Sequence, residues 1–477
     1  MKKYKNIKLL IVFLIKLNMI NSALKLIRFY ALIKYNLNDV FFDDEIEDDL
    51  MKIANQYKSK LNKTKTNKDY IIFYDQVSNT NRCLSKIYLE GLINISEKKL
   101  VYVCYKCPEN RGLIDLCKEN NIEFYELNKR YELKSLDMLI HIFNQFPSSI
   151  IISQNHVDDF IGVLFNNIVK EIVDDTILIN ITDHAFWLGR KSYTKLIEFR
   201  NFGASLSYYE RGMSLSNMVK LPYYTQIKST DFKGFPFDIK DKKIILSGGA
   251  VYKTLGMPDF YEVINYILSK YPDTIFLYLG NNAERTIRNN LNNKTYGSRI
   301  FVLQERKDLN EIMKKSYLYI NTFPLVGGLM TIFALNNDRI PLTLCNEYYP
   351  ANEVSDFVKD CKYDFVFSDK ENLIHEIDRL ITDEKYYNKS VSDIKNKVIT
   401  KEIFNDNLKR IILNEDNDFD ITIKRFNYEY QLQNFKDNYK INFRSSCVAS
   451  RSLFVFLLYP ISFLIGLHSA VKRKYLD

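Results

Sequence analysis

Residues 316–344 read SYLYINTFPLVGGLMTIFALNNDRIPLTL, and the order of features in this stretch decides the fold. Residues 317–320 are an apolar strand, Asn321-Thr322-Phe323-Pro324 ends it, Gly327-Gly328 turns the chain into an apolar helix, and 340–344 is a second buried strand. In a parallel sheet this order places a glycine-rich turn and unpaired backbone N–H groups at a helix start, where phosphate binds readily. Glycine-rich turns are common between strands and helices, so the reading depends on what surrounds this one.

Working outward, the same cadence runs along most of the chain. Upstream, apolar strands at 243–246, 274–279 and 299–303 alternate with helices at 258–270, 283–291 and 308–314; downstream come a strand at 363–367, a helix at 370–382 and a helical segment at 383–414. An earlier set of strands, at 70–74, 100–104, 122–125, 149–152, 177–181 and 205–208, alternates with helices at 82–92, 112–120, 133–143 and 159–172. Alternation of this kind predicts parallel sheets covered on both faces. The expected fold is α/β, two Rossmann-like domains at 67–235 and 236–414, joined by a polar hinge near 230–241 and facing each other across a cleft. Residues 1–66 and 415–477 flank them as a basic amphipathic segment with linker and as a hydrophobic tail.

Ligands of such sheets bind at the carboxyl ends of the strands, and four strand ends carry unusual residues. Ser247-Gly248-Gly249 is followed by Lys253, a turn that bares backbone beside a point charge suited to phosphate. In the opening stretch Gly327 and Gly328 bare the backbone again, and Thr331 falls in the first helical turn. After 177–181 comes Thr182-Asp183-His184-Ala185-Phe186-Trp187, where an imidazole can act as a base near neutral pH and Asp183 can act beside it or cap the next segment. Gln304 and Arg306, after 299–303, form a polar loop suited to a nucleobase.

Charge and cysteine usage bound the rest. The 477 residues carry a net charge of +9, but residues 1–38 hold eight Lys/Arg and no acid, and 438–476 hold six and no acid. Subtracting these 14 from 67 leaves 53 basic groups against 58 acidic ones, so the positive charge lies at the two ends. A nucleic-acid groove spreads its cations over the body of a domain, whereas basic ends beside apolar runs suit an anionic membrane. The run 9–15 is too short to span a bilayer, and 453–467 is interrupted by Pro460. Residues 1–35 and 448–474 are therefore expected to lie on a membrane as surface segments, with a spanning tail the open alternative. The acidic run 43–49 reads as a solvated face. Seven scattered cysteines fit structural thiols in a reducing compartment. Cys104 and Cys107 form a single C-x-x-C with no second pair, and no metal site is expected.

The series KIILSGGAVYKT at 243–254, FLYLG at 276–280, RIFVLQERKDL at 299–309, INTFPLVGGLMTIFAL at 320–335 and RIPLTL at 339–344 resembles the donor domain of GT-B glycosyltransferases. The similar branch holds protein O-linked N-acetylglucosamine transferases and bacterial adhesin and polysaccharide glycosyltransferases. The resemblance implies a nucleotide-sugar donor, the expected partners being a UDP-sugar and a lipid-linked glycan or protein acceptor. It also implies no tightly bound cofactor, Lys253, Gly328 and Thr331 on the diphosphate, and His184 near an active-site histidine. The branch carries His-Thr-Thr where this chain has Leu329-Met330-Thr331, and an acid at the position of Ala334. No Asp-x-Asp sits at a strand end and 321–331 holds no acid, which favours inverting, metal-independent transfer with His184 or Asp183 activating the acceptor. The expectation is a glycosyltransferase of bacterial surface polysaccharide synthesis on the cytoplasmic face of the plasma membrane. A cytoplasmic protein glycosyltransferase, a polyol-phosphate transferase of teichoic-acid type and a non-catalytic partner of the same fold stay open.

Overall fold

The computed structural model describes residues 2–62, 67–78, 84–95, 97–128, 132–225, 230–347, 349–426 and 439–476. It contains two parallel sheets. The first joins β1 (Asn67–Asp75), β2 (Lys99–Tyr105), β3 (Glu123–Leu127), β4 (Ser148–Gln154), β5 (Asp175–Ile179), β6 (Lys195–Glu198) and β7 (Met218–Lys220) in the order 3-2-1-4-5-6-7. The second joins β8 (Lys243–Gly248), β9 (Thr274–Leu279), β10 (Ile300–Leu303), β11 (Leu318–Ile320), β12 (Ile340–Leu344) and β13 (Val366–Phe367) in the order 10-9-8-11-12-13. Every strand of both sheets pairs in parallel, Ile72 opposite Ile151 and Ile245 opposite Leu318 at the two centres. Central strands such as β4 and β9 are buried along their whole length, as a sheet covered on both faces requires. In each sheet the chain winds outward in one direction and then reverses, so β1/β4 and β8/β11 are the points where ligand crevices open.

The predicted strand at 205–208 is instead part of the helix Asn201–Tyr209. Ser205-Leu206-Ser207 alternates as a strand would, yet the Ser205 hydroxyl donates to the Asn201 carbonyl 2.7 Å away, one turn back. The short strands β6 and β7, of four and three residues, escape sequence reading because so few positions carry no period.

The chain divides into two compact units at Leu221/Pro222 rather than at the expected hinge. Residues 230–239 belong to the second unit. There Arg306 donates to the Gly234 carbonyl at 2.8 Å and to Asp308, whose other bond comes from the Lys233 N–H at 2.8 Å. The second unit spans Pro222–Phe404, and Asn405–Arg425 returns to the first, so the tail begins earlier than expected.

The ends of the chain build part of the first unit. Helix α1 (Lys2–Lys16) packs on α2 (Ile20–Leu37), and α2 is also met by the tail helices Tyr439–Ala449 and Leu453–Leu458. α2 buries Leu24, Leu26, Ile27, Phe29, Tyr30 and Ile33 around its whole circumference, the pattern of a core helix. At about 1.5–3 kcal/mol for each large apolar side chain taken from water, this burial places α2 inside the protein, against the surface-lying expectation for that part of 1–35. Phe29 meets Phe443 and Tyr459 edge-on or tilted, at 5.9 and 5.8 Å. The tail breaks before Pro460, which starts the helix Pro460–Leu476. No helix of the described residues is long and apolar enough to cross a membrane.

The acidic run at 43–49 is not a solvated face. Asp43 caps α3 (Asp44–Asn55) by accepting from the Glu45 and Ile46 N–H groups at 3.1 and 3.4 Å. Glu47 is buried and accepts from the N–H groups of Gly189 and Lys191 at 2.8 and 3.3 Å. Asp44 and Asp48 pair with Lys191 at 3.0 and 2.7 Å. The run latches α3 onto the loop that follows Trp187.

Candidate functional site

At the reversal of the second sheet the loop after β8 and the loop after β11 lie side by side. Gly249 has φ +127, a backbone conformation open to glycine. Lys253, on the turn that follows, donates from Nζ to the Val326 carbonyl at 3.0 Å, while its own carbonyl accepts from the Leu325 N–H at 3.2 Å. This double tie sets an ammonium group at the start of the helix Gly328–Asn336, whose cap residue Gly327 supplies no side-chain hydrogen bond. The first-turn N–H groups and the helix dipole thus face the same place as the lysine. A Cβ on Gly328 would stand 2.9 Å from the Tyr223 hydroxyl and 3.3 Å from Phe357, so a side chain at the helix start would have to push Tyr223 aside.

Asn321, read from the sequence only as part of the segment that ends the strand, holds this loop. Its Oδ1 accepts from the N–H groups of Thr322 and Gly327, both at 3.0 Å, and its Nδ2 donates to the hydroxyls of Thr331 and Thr343 at 2.7 and 3.2 Å. Thr331 is fully buried and donates to the Gly327 carbonyl at 3.1 Å. The Thr331 side chain therefore shapes the loop from beneath, not at the position expected for a phosphate contact. Arg306 is likewise committed to Asp308, which the Arg306 hydrogen bonds, against burial, hold at about 2. Gln304 is exposed, as are Glu305 and Lys307 of the same loop, and its Oε1 accepts from the Asn282 N–H at 3.4 Å. Gly248, Gly249, Lys253, Gly327 and Gly328 are gathered around the reversal point; Arg306 is not available there.

The first sheet has its own polar edge. Asp183 is buried and accepts from Arg200 Nε at 2.7 Å and Nη2 at 3.2 Å. Burial works to raise this carboxyl, but the Arg200 charge and the His184 and Arg200 hydrogen bonds outweigh it and hold it well below the usual carboxylate range. Asp183 is thus an anchor for Arg200 and a poor base at neutral pH, which removes it from the catalytic role expected for it. His184 keeps Nδ1 3.3 Å from Asp183 and is about one-third exposed. Arg211 is fully buried and donates to the carbonyls of Asp183 and Ala185 at 3.0 and 2.7 Å, which fixes the loop carrying His184. Behind it Glu198 accepts from Asn180 at 2.9 and 3.0 Å and from Ser207, and burial pushes its carboxyl up to about 7.

A second histidine stands closer to the reversal point. His156 follows β4, its N–H donates to Gln76 Oε1 at 3.0 Å from the loop after β1, and its Nδ1 lies 2.5 Å from Asp158. Asp158 in turn meets Arg28 Nε at 3.3 Å. Tyr35 of α2 lies 6.3 Å from the His156 ring and 6.4 Å from the His184 ring. The signal for this pair was present as Gln154-Asn155-His156-Val157-Asp158 directly beyond a predicted strand, and only the strand order shows that this strand is the central one. Among the described residues no group of three or more His, Cys, Asp or Glu side chains is placed to hold a metal ion.

No family model and no curated protein matches the chain. Among solved structures, it is similar to Anabaena HepE in complex with UDP and glucose, at TM-score 0.52 and 10% identity over 72% of this chain and 99% of that one. A glycosyltransferase from Rickettsia africae matches at TM-score 0.49 and 12% identity over 79% of this chain and 98% of that one. An O-GlcNAc transferase mutant of Thermobaculum terrenum matches at TM-score 0.46 and 12% identity over 90% of this chain and 79% of that one. The HepE similarity shows a shared fold, two doubly wound domains of GT-B type, as the resemblance of 243–344 implied.

Proposed function

We propose that the chain is a glycosyltransferase that takes its sugar from a UDP-linked donor and passes it, by direct inverting displacement, to a lipid-linked glycan at a membrane surface in bacterial polysaccharide synthesis. The observation that carries this reading is Lys253 tied against the uncapped start of the helix Gly328–Asn336 at the reversal of the second sheet. A departing nucleoside diphosphate gains negative charge, and a fixed ammonium with aligned N–H groups stabilises that charge without having to reorganise. The proposal assigns this stabilisation to Lys253 and the helix start, without a metal ion. The shared fold with a structure that contains UDP and glucose supports the choice of nucleotide.

The membrane part of the reading rests on the outer faces of the chain ends. α1 turns Ile7, Ile11 and Leu14 into the core but exposes Leu9 and Phe13 by 61% and 55%, and Leu17 just past its end is 53% exposed. The tail exposes Leu453, Leu457, Ile461 and Leu464. Lys16, on the exposed side of α1, suits anionic headgroups, whereas Lys8, Arg28 and Lys34 are neutralised by Asp43, Glu132 and Asp39. The exposed apolar face beside Lys16 supports the peripheral or monotopic placement on the cytoplasmic face that this reading includes. A thermal-shift series with UDP, GDP, CDP and their sugars tests the donor, because a ligand bound by the native state raises Tm. Stabilisation by UDP or a UDP-sugar is expected, and a response to CDP-glycerol alone would transfer the chain to polyol-phosphate chemistry. Flotation with anionic and neutral vesicles tests the membrane: Leu9→Ser with Phe13→Ser is expected to abolish recovery with anionic vesicles. Recovery unchanged by that pair would favour a soluble protein acceptor.

A further inference from the structure

We infer that the group which activates the acceptor hydroxyl is His156, positioned by Asp158, and that His184 plays the lesser part. This rests on the transfer reading above and assigns a residue that sequence reasoning passed over.

Three observations separate the two histidines. The first is place. His156 follows β4 and is hydrogen-bonded through its N–H to Gln76 beyond β1, so it stands at the reversal of the first sheet, where doubly wound sheets bind ligands. His184 follows β5, one strand farther out. The second is the carboxylate behind each ring. Asp183 is gripped twice by Arg200, at 2.7 and 3.2 Å, and its oxygen stands 3.3 Å from His184 Nδ1. Asp158 stands 3.3 Å from Arg28 Nε and comes within 2.5 Å of His156 Nδ1. The charge of Asp183 is directed at the guanidinium, while that of Asp158 is directed at the imidazole. The third is access: the His156 side chain is 50% exposed and that of His184 34%.

Proton positions follow from these contacts. Burial would raise the Asp158 carboxyl, but the His156 hydrogen bond and the His156 and Arg28 charges hold it below its ordinary value, so it stays ionised. An ionised carboxylate accepts only, so Nδ1 carries the proton, and in the neutral ring the lone pair is then on Nε2. In the step assigned here Nε2 takes the proton of the acceptor hydroxyl as its oxygen bonds to the anomeric carbon. The bond from that carbon to the diphosphate oxygen breaks, and UDP leaves with the electron pair. Asp158 stabilises the imidazolium, which then returns its proton to water. Among the described residues, the charged and titratable groups around His156 include Asp158 on its own loop, Arg28 and Tyr35 on α2, Glu132 bound to Arg28, and His184, whose ring also neighbours Tyr35. Tyr35 between the two rings gives the site an aromatic wall suited to the apolar face of a sugar ring.

The test uses the full-length chain with UDP-glucose and UDP-N-acetylglucosamine as donors, water or glycerol as the hydroxyl, and UDP release as the readout. His156→Gln is expected to lower UDP release by about 100-fold, within the range for loss of a general base, with the UDP-induced Tm shift unchanged. His184→Gln is expected to lower it by less than about tenfold. Asp158→Asn removes the stabilisation of the imidazolium, so the acid limb of the pH–rate profile moves to lower pH by about one unit and the maximum falls. A merely structural Asp158 would lower the rate without moving the limb. Equal or greater loss in His184→Gln, or release undiminished in His156→Gln, overturns the assignment while the UDP shift leaves the donor site standing. Wild type that binds UDP but releases none also counts against it, since an exposed imidazole backed by a carboxylate activates water as it would a sugar hydroxyl. Absence of any UDP shift in the wild type overturns the transfer reading, and this assignment with it.

Discussion

The two sheets reverse in the same way, yet the sites at their reversal points are made of different material. The second sheet presents backbone: glycines, the start of a helix and one lysine tied to a carbonyl. The first presents side chains, His156 at the reversal and His184 one strand farther out, backed by Asp158 and Asp183, which are backed in turn by Arg28 and Arg200. A backbone site suits the constant part of a reaction, because every diphosphate offers the same oxygens. Side chains suit the part that differs among enzymes of one fold, the acceptor and the path of its proton.

Substitutions break this contrast unequally. The largest effect is expected from Asp183→Ala, which strands the buried Arg200 without its carboxylate and costs about 3–5 kcal/mol in denaturant unfolding. Because the folded-state pKa of Asp183 is depressed, its contribution is present above the unfolded value near pH 4 and is lost as pH falls through the folded one. Asp158→Asn, at a carboxylate that is 16% exposed, is expected to cost no more than about 1 kcal/mol in the same measurement. Equal losses would erase the distinction between anchor and relay.

Next comes Lys253→Ala, which is expected to abolish the UDP-induced Tm shift and lower UDP release by about 10–100-fold. Stability without ligand should stay within about 0.5 kcal/mol by denaturant titration. Gly249→Ala forces a side chain into φ +127 and is expected to destabilise the second unit by about 1–3 kcal/mol and to weaken UDP binding. A neutral result there would show that the turn is not rigid.

The smallest effect is a slope. Glu198 is pushed up to about 7 by burial, so from the unfolded value near pH 4 up to about 7 the unfolded chain gives up a proton that the folded chain keeps. Its contribution to stability therefore declines as pH rises through that window. Glu198→Gln is expected to flatten the decline, read as the change in urea midpoint between pH 5 and pH 7.5; an unchanged slope would assign the decline to Asp75 and Asp159, each pushed up to about 6 by burial.

The contrast also explains what the sequence revealed. Gly248-Gly249, Lys253 and Gly327-Gly328 were legible because a backbone site needs glycine and glycine is visible in one dimension. Thr331 and Arg306 were named from their proximity to those glycines, but neither the upward tie from Asn321 nor the Asp308 clamp can be seen without coordinates. His156 was passed over because its weight comes from strand order, which a list of strands does not contain. Asp43 to Asp49 looked like a solvated face since charge is counted along the chain, whereas the partners at 189–191 lie far along it. The strands of the two cores were mostly found, and the alternation of apolar runs with helices is why.

The clasp of the chain ends around α2 has a consequence for synthesis. Leu24, Ile27, Phe29 and Ile33 leave the ribosome early, but some of the residues that cover them, Phe443 and Tyr459 among them, are translated last. The contiguous Pro222–Phe404 unit can close while the amino-terminal half is still waiting, the reverse of the usual vectorial order. A product cut short before residue 439 would leave a greasy helix uncovered, and insolubility of such fragments is the expected result.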